Sequence, residues 1–338
     1  MSETMRLCRP RWRLPVIALF LLAPWTAECS WGGFTAAEFP FVVAILAPMY
    51  GGAAVLIREV ARRTGGGWPA IVLLAAAFGV LQAGLVDQSL LNPGFLENTE
   101  FRDLGPASRA TLIPEIEISA AQLLDYVGNH IALSICAPIA IVESLVREDR
   151  RYEPWLGIPG LVLVAVIYVS GSLLIYSDTA ATDGYTPTTT QLGAVVRAAV
   201  VLIVVAVLIG LRRATVRSDR AGPRAVHPLW VGALVASVSL VGWLGTGWVF
   251  VAVRVVVIAV AATLVVLWSR RPGWGQAHVL AAWGAGLVVA AGTAYLVPTY
   301  APASPQAALI GDIAISVITA TLLLAATRRL RRTPQRAS

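Results

Sequence analysis

The sequence predicts an all-α fold, a polytopic bundle of about ten transmembrane helices with both termini cytoplasmic. Three observations lead there. Hydrophobic residues make up 57% of the 338 positions and charged residues only 13%, with a mean hydropathy of +0.73. A soluble chain carries about 25% charged residues. The apolar residues come as long runs rather than stripes, which excludes a soluble multi-domain enzyme. The third observation is the alternation of arginine-rich and arginine-poor loops along the chain.

All 26 basic residues are arginine. The net charge of +7 is not a nucleic-acid footprint, because the arginines sit in short loops between spans. With both termini inside, 22 arginines fall on the cytoplasmic side, Arg102 and Arg109 outside, and Arg197 and Arg254 within spans. A wrong span count would scramble that partition. The cysteines Cys8, Cys29 and Cys136 have neither metal spacing nor a disulfide framework.

The first span covers residues 14–31, behind a basic start with Arg6, Arg9, Arg11 and Arg13. A retained helix and a cleaved signal peptide compete there, and the absence of a convincing small-x-small site favours the helix. The second runs over 39–57 into Arg58, Glu59, Arg62 and Arg63. Thr35 and Glu38 have capping-box spacing, and a helix start at Pro40 is the alternative. Pro48 with Gly51 and Gly52 predicts a kink beside a close neighbour. The third span, 68–91, contains Gln82, Asp87, Gln88 and Ser89, and Gln82, Ser89 and Asn92 fall on one predicted face.

The outer segment 93–120 has five carboxylates, Glu97, Glu100, Asp103, Glu115 and Glu117, and reads as a solvated loop or as a lid. The fourth span, 125–147, holds the polar cluster. Asp125 and Asn129 share a face and His130 lies at its edge. Ionisable groups in a span usually face the bundle interior or a wet cavity. The cluster is therefore either a proton- or cation-handling site or interhelical glue, with His130 and Asn129 bonding a neighbouring helix. Glu143, four residues before Arg147, is expected to form an ion pair with it.

Spans five to ten follow at about 155–176, 191–211, 228–244, 248–268, 277–296 and 307–326. Arg197 is close enough to the outer end of its helix to snorkel. The basic loop 212–227 should lie against anionic lipid headgroups. Ala282, Gly286, Ala290 and Ala294 form a small-residue stripe suited to close helix packing. Glu28, Asp87, Asp125, His130, Arg197, Arg254 and Asp312 all fall in the outer half of the membrane. Unpaired charge there is expensive, so ion pairs such as Arg254–Asp312 and Arg197–Asp125 are expected, and an outward-open polar cavity would produce the same set.

Residues 50–63 (YGGAAVLIREVARR), 67–69 (GWP), 84–93 (GLVDQSLLNP), 134–145 (SICAPIAIVESL) and 153–157 (EPWLG) resemble a group of uncharacterised actinobacterial multi-spanning proteins. That resemblance covers roughly 40–165 and implies the plasma membrane but no activity. A fainter likeness is to the CPBP intramembrane proteases related to CAAX-processing enzymes. Those place paired glutamates where this chain has Gln82 and Ala83, and use histidines on later spans. Here only His130 is intramembrane, so the resemblance implies lost chemistry, no metal and no cofactor.

Ten helices with internal ends permit two five-helix halves, 1–176 with most of the intramembrane polar residues and 177–338, strongly apolar, related as inverted units by analogy with carriers. The expected function is therefore carrier-like handling of a solute or proton in the plasma membrane, with a cavity built from Asp87, Asp125, Asn129, His130, Arg197, Arg254 and Asp312. A non-catalytic membrane scaffold or partner subunit is the alternative, and a degenerate CPBP-like hydrolase the second. The sequence leans away from an enzyme.

Overall fold

The computed structural model describes residues 13–104, 109–213 and 223–332. Arg6, Cys8, Arg9 and Arg11, the centre of the 212–227 loop and Arg336 lie outside the described residues. The chain forms an all-α bundle. Eight helices are long and apolar enough to cross a membrane: α2 (Phe39–Arg63), α3 (Gly67–Val86), α4 (Ala120–Leu145), α5 (Ile158–Ala181), α6 (Thr189–Leu211), α8 (Trp248–Ser269), α9 (Gln276–Leu296) and α10 (Pro305–Arg332). Two shorter apolar helices, α1 (Leu14–Cys29) and α7 (Pro228–Val241), complete the set among the described residues. Among those residues the only sheet is a hairpin of β1 (Leu112–Ile113) and β2 (Ile118–Ser119). Helices satisfy their own backbone, which is what a hydrocarbon surround demands.

Burial sorts the helices into a core and a rim. In the most apolar stretch of α4, 72% of residues are buried inside the protein, against 6% for α8. Helices α1 to α4 pack on one another; α9 and α10 close the bundle against α4. Helix α5 lies on α2, α6 on α3, and α7 on α9, while α8 packs chiefly on α7. The rim helices turn rows of valine and leucine outward, such as Val200, Val201 and Val204 on α6 and Val256 and Val260 on α8. Those faces suit lipid rather than water. The α3–α6 and α4–α9 contacts both cross the 176/177 boundary between the two sequence halves.

Close approach is made by glycines. A Cβ on Gly51 would lie 2.1 Å from the Phe20 carbonyl oxygen, and one on Gly52 2.9 Å from Tyr168 Cβ. The proximity expected from Pro48 and the glycine pair is therefore present, with α1 on one side and α5 on the other. Glu38 accepts from the Thr35 amide at 2.8 Å and its hydroxyl at 2.7 Å, and α2 starts directly after it with Pro40 in its first turn.

Several sequence expectations are corrected. Helix α3 stops at Val86, and Gln88 adopts a φ of 57°, so Ser89 and Asn92 lie in a turn and share no helical face with Gln82. Helix α4 starts at Ala120, where the Ser119 hydroxyl caps the Gln122 amide, and ends at Leu145. Val146 is extended, so Arg147 leaves the helix and pairs with Asp149 at 3.2 Å. Glu143 is instead fully buried between Arg58 and Arg62 of α2. In α9, a Cβ on Gly286 would meet open space; the tight contact belongs to Gly284, 2.9 Å from Leu323. Three members of the expected small-residue stripe, Ala282, Ala290 and Ala294, are buried, so the stripe lies on the packed side of α9 and Gly286 is its one loose position.

Candidate functional site

Each of the four central helices contains a π-helical segment: Trp25–Cys29 ends α1, Ala47–Gly51 interrupts α2, Gln82–Val86 ends α3 and His130–Cys136 interrupts α4. A π segment widens the turn and re-aims the side chains within it, and such segments recur at functional sites. Proline supplies part of the cause, with Pro24 before the first segment, Pro48 inside the second and Pro138 just after the fourth. Each proline removes a backbone donor and crowds the preceding turn. Each segment carries a polar side chain: Glu28, Tyr50, Gln82 and His130. All four line one cavity of about 2340 Å³.

The Tyr50 hydroxyl donates to Glu28 Oε1 at 2.5 Å. The imidazole of His130 lies 5.8 Å from the Tyr50 ring and 5.6 Å from the Phe78 ring, centroid to centroid. Room for it comes from Gly79, where a Cβ would stand 2.9 Å from His130 Cβ. His130 Nδ1 shares a hydrogen bond of 3.1 Å with Ser134 Oγ, one turn along α4. The expected glue to a neighbouring helix is therefore absent at His130; its polar contact is local and its ring packs on aromatic faces of α2 and α3.

Gln82 Nε2 donates to Asp87 Oδ2 at 3.2 Å, and Asp87 Oδ1 accepts from the Ser89 amide at 2.9 Å. The Gln82 amide is oriented with its nitrogen toward this carboxyl group. Gln82 Oε1 is thereby left buried without a partner, in a residue 1% exposed. Unpaired buried acceptors cost free energy, and each calls for an explanation. Further out, Arg254 of α8 reaches across to Asp125 of α4 at 2.5 Å. That pairing replaces both expected ones, Arg254–Asp312 and Arg197–Asp125.

The roof is aromatic. Trp31, Phe34 and Phe101 surround Tyr300, with centroids 5.1 to 5.4 Å from its ring. Tyr300 donates its amide to Gly33 at 2.8 Å and accepts from the Glu100 amide at 3.2 Å, so three loops are tied together. Burial, then the Glu28 carboxylate, pushes the Tyr300 phenol well above its ordinary value, with Tyr126 and Asp87 adding to the effect. The 93–120 segment contributes Phe95, Leu96, Phe101 and Leu104 to the lining, while its five carboxylates point to the exterior. It is a lid by its apolar residues and a solvated loop by its charged ones.

The floor rests on a buried ion network. Glu143 accepts from Arg58 Nε at 3.1 Å and from Arg62 Nε at 2.8 Å. Arg58 also binds Glu59 at 2.7 Å and the Arg151 carbonyl at 2.7 Å, and lies 3.4 Å over the Trp155 ring. Glu59 accepts from the Trp155 amide at 2.8 Å and the Leu156 amide at 3.2 Å. Arg62, held this way, lines the cavity beside Trp68, Tyr152 and Trp274.

Of the seven residues expected to form a cavity, Asp87, Asp125, Asn129, His130 and Arg254 line it. Arg197 and Asp312 do not. Arg197 is exposed on the rim, its guanidinium turned back toward Gly193 and the start of α6, as snorkelling requires. Asp312 is half-buried on α10. Sequence reasoning missed Tyr50, Ser134 and Tyr300, whose placement depends on the π segments and loop ties and has no sequence signal of its own. No family model, curated protein or solved structure matches this chain.

Proposed function

We propose that the chain is a ten-span protein of the plasma membrane with both termini cytoplasmic, and that it binds and carries a solute through its intramembrane cavity. The positive-inside rule supports the orientation: Arg58, Arg62, Arg63, Arg147, Arg150 and Arg151 gather at the floor end, and the acidic 93–120 segment at the other. One observation carries the functional reading. Polar residues from α1, α2, α3, α4 and α8, far apart in sequence, converge on a single cavity, where a scaffold would need only pairwise bridges. Of the latter kind there is Arg254–Asp125. Helix interruptions beside a central site are a recurring device in carriers.

The test is reconstitution of the full chain in liposomes, with a solute panel and an entrapped pH-sensitive dye. Wild-type protein should move a solute or protons, and Asp87→Asn and His130→Gln should each reduce the rate at least tenfold. Asp312→Asn and Arg197→Gln, both outside the cavity, should stay within twofold of wild type. Absence of any flux in wild type, or equal loss in all four variants, would overturn the carrier.

A further inference from the structure

We infer that the cavity takes an amphipath with a hydrogen-bond-donating, cationic amine head and a long apolar tail, entering sideways from the lipid. This rests on the carrier reading of the same cavity and names its substrate class. Size is the first argument. Ligand sites for small molecules run to roughly 300–1,000 Å³; this one is about 2340 Å³. Its length is set by α8 with its N-cap Gly247; Gly247, Phe250, Arg254, Ile258, Ala261, Val265 and Ser269 line it. Those positions recur every three or four residues, so one face of α8 looks into the space from end to end. At 1.5 Å per residue that face is about 33 Å long, close to the roughly 30 Å of a bilayer's hydrocarbon.

The distribution of polarity is the second argument. Glu28, Tyr50, Gln82, Asp87 and His130 cluster at the roof end. Below Arg254 the lining of α8 is aliphatic down to Ser269, and Val72, Leu73 and Ile131 line the cavity from the core helices. The floor end carries Arg62, whose charge is met by Glu143, and Arg270; between the floor and the polar roof end the long apolar run fits the tail of an amphipath. The head chemistry follows from what is unsatisfied. Gln82 Oε1 is a buried acceptor without a partner. The carboxyl groups of Glu28 and Asp87 stand nearby with protein donors but no cationic partner, and Arg254 at this end is paired with Asp125. An ammonium supplies the missing donor and the missing charge. A carboxylate or sulfate head would meet acceptors and like charge instead. Sideways entry is suggested by α8, which packs chiefly on α7, and by the cavity lining contributed by Ile175, Asp178 and Thr179 of α5.

The experiment measures binding to the purified full chain in phosphatidylcholine nanodiscs. The probes are hexadecylamine, hexadecanoate and butylamine, and the arms are nanodiscs with and without phosphatidylethanolamine. Hexadecylamine should bind at least tenfold tighter than either comparison probe, and Gln82→Leu should weaken it about tenfold, the scale of one hydrogen bond to a charged group. Competition by phosphatidylethanolamine would identify an aminolipid as the source, and its absence a free amine. Hexadecanoate binding as well as hexadecylamine, or butylamine doing so, would overturn the proposal, as would no amphipath binding at all. A soluble solute carried in liposomes without amphipath binding would sink this inference and leave the carrier standing; neither flux nor binding would sink both. The probe ranking in wild type does not depend on any variant folding.

Discussion

Glu143→Ala should destabilise the protein by about 3–5 kcal/mol, the cost of breaking a buried ion pair by removing one partner. The magnitude follows from what the carboxylate serves. It is wholly inaccessible and receives both Arg58 and Arg62, and Arg58 is itself fully buried. Without it two guanidinium groups lose a shared acceptor in a region where water cannot replace it. Glu143→Gln keeps the shape and one acceptor and should lose less. Arg147→Ala is the control. The residue four positions along the sequence pairs with exposed Asp149 and should change stability by no more than about 0.5 kcal/mol. Thermal melts of detergent-purified protein, followed by size-exclusion recovery, decide it. Equal melts for Glu143→Ala and Arg147→Ala would mean that the network carries no stability and that Arg62 is placed by something else.

The contrast between those two variants marks where sequence reading stops. Membrane helices were legible because the hydrocarbon imposes a long apolar run on every one of them, whatever its neighbours. The cavity was partly legible for the same reason: a charge in such a run must face something polar, which picked out Asp87, Asp125, His130 and Arg254. Which partner each group finds is a different matter. It depends on helix ends and rotations of a few tens of degrees. Glu143 misses Arg147 because one extended residue, Val146, ends α4 a turn early. Arg254 meets Asp125 rather than Asp312 because α8 stands across the cavity from α4, not beside α10. The π segments re-aim Tyr50 and Gln82 by widening single turns, and an inserted turn leaves no periodic trace in an already apolar run. Polarity was written in the sequence; angular placement was not.

Gly51→Ala should be the most damaging single methyl added to the core, and Gly286→Ala among the most harmless. In an ordinary helix the change from glycine to alanine is favourable by about 1 kcal/mol. At Gly286 nothing stands within 4 Å of the new Cβ, so that gain should survive and the melt should hold or rise. At Gly51 the Cβ would fall 2.1 Å from a backbone carbonyl oxygen of α1, which no side-chain rotation can relieve. Overpacking costs typically 1–3 kcal/mol and more where backbone must move, so the net effect should be a loss of at least about 2 kcal/mol. The site should report the same displacement. Phe20 lies eight residues before Glu28 on α1, and Gly51 follows Tyr50 directly, so pushing the helices apart lengthens the Glu28–Tyr50 hydrogen bond that crosses them. Solute binding in Gly51→Ala should fall together with stability, while Gly286→Ala binds as wild type. If Gly286→Ala proved the worse of the two, Gly286 would be a tight contact of the α9 stripe rather than its loose position, and the contact of α1 with α2 would not be what sets the site.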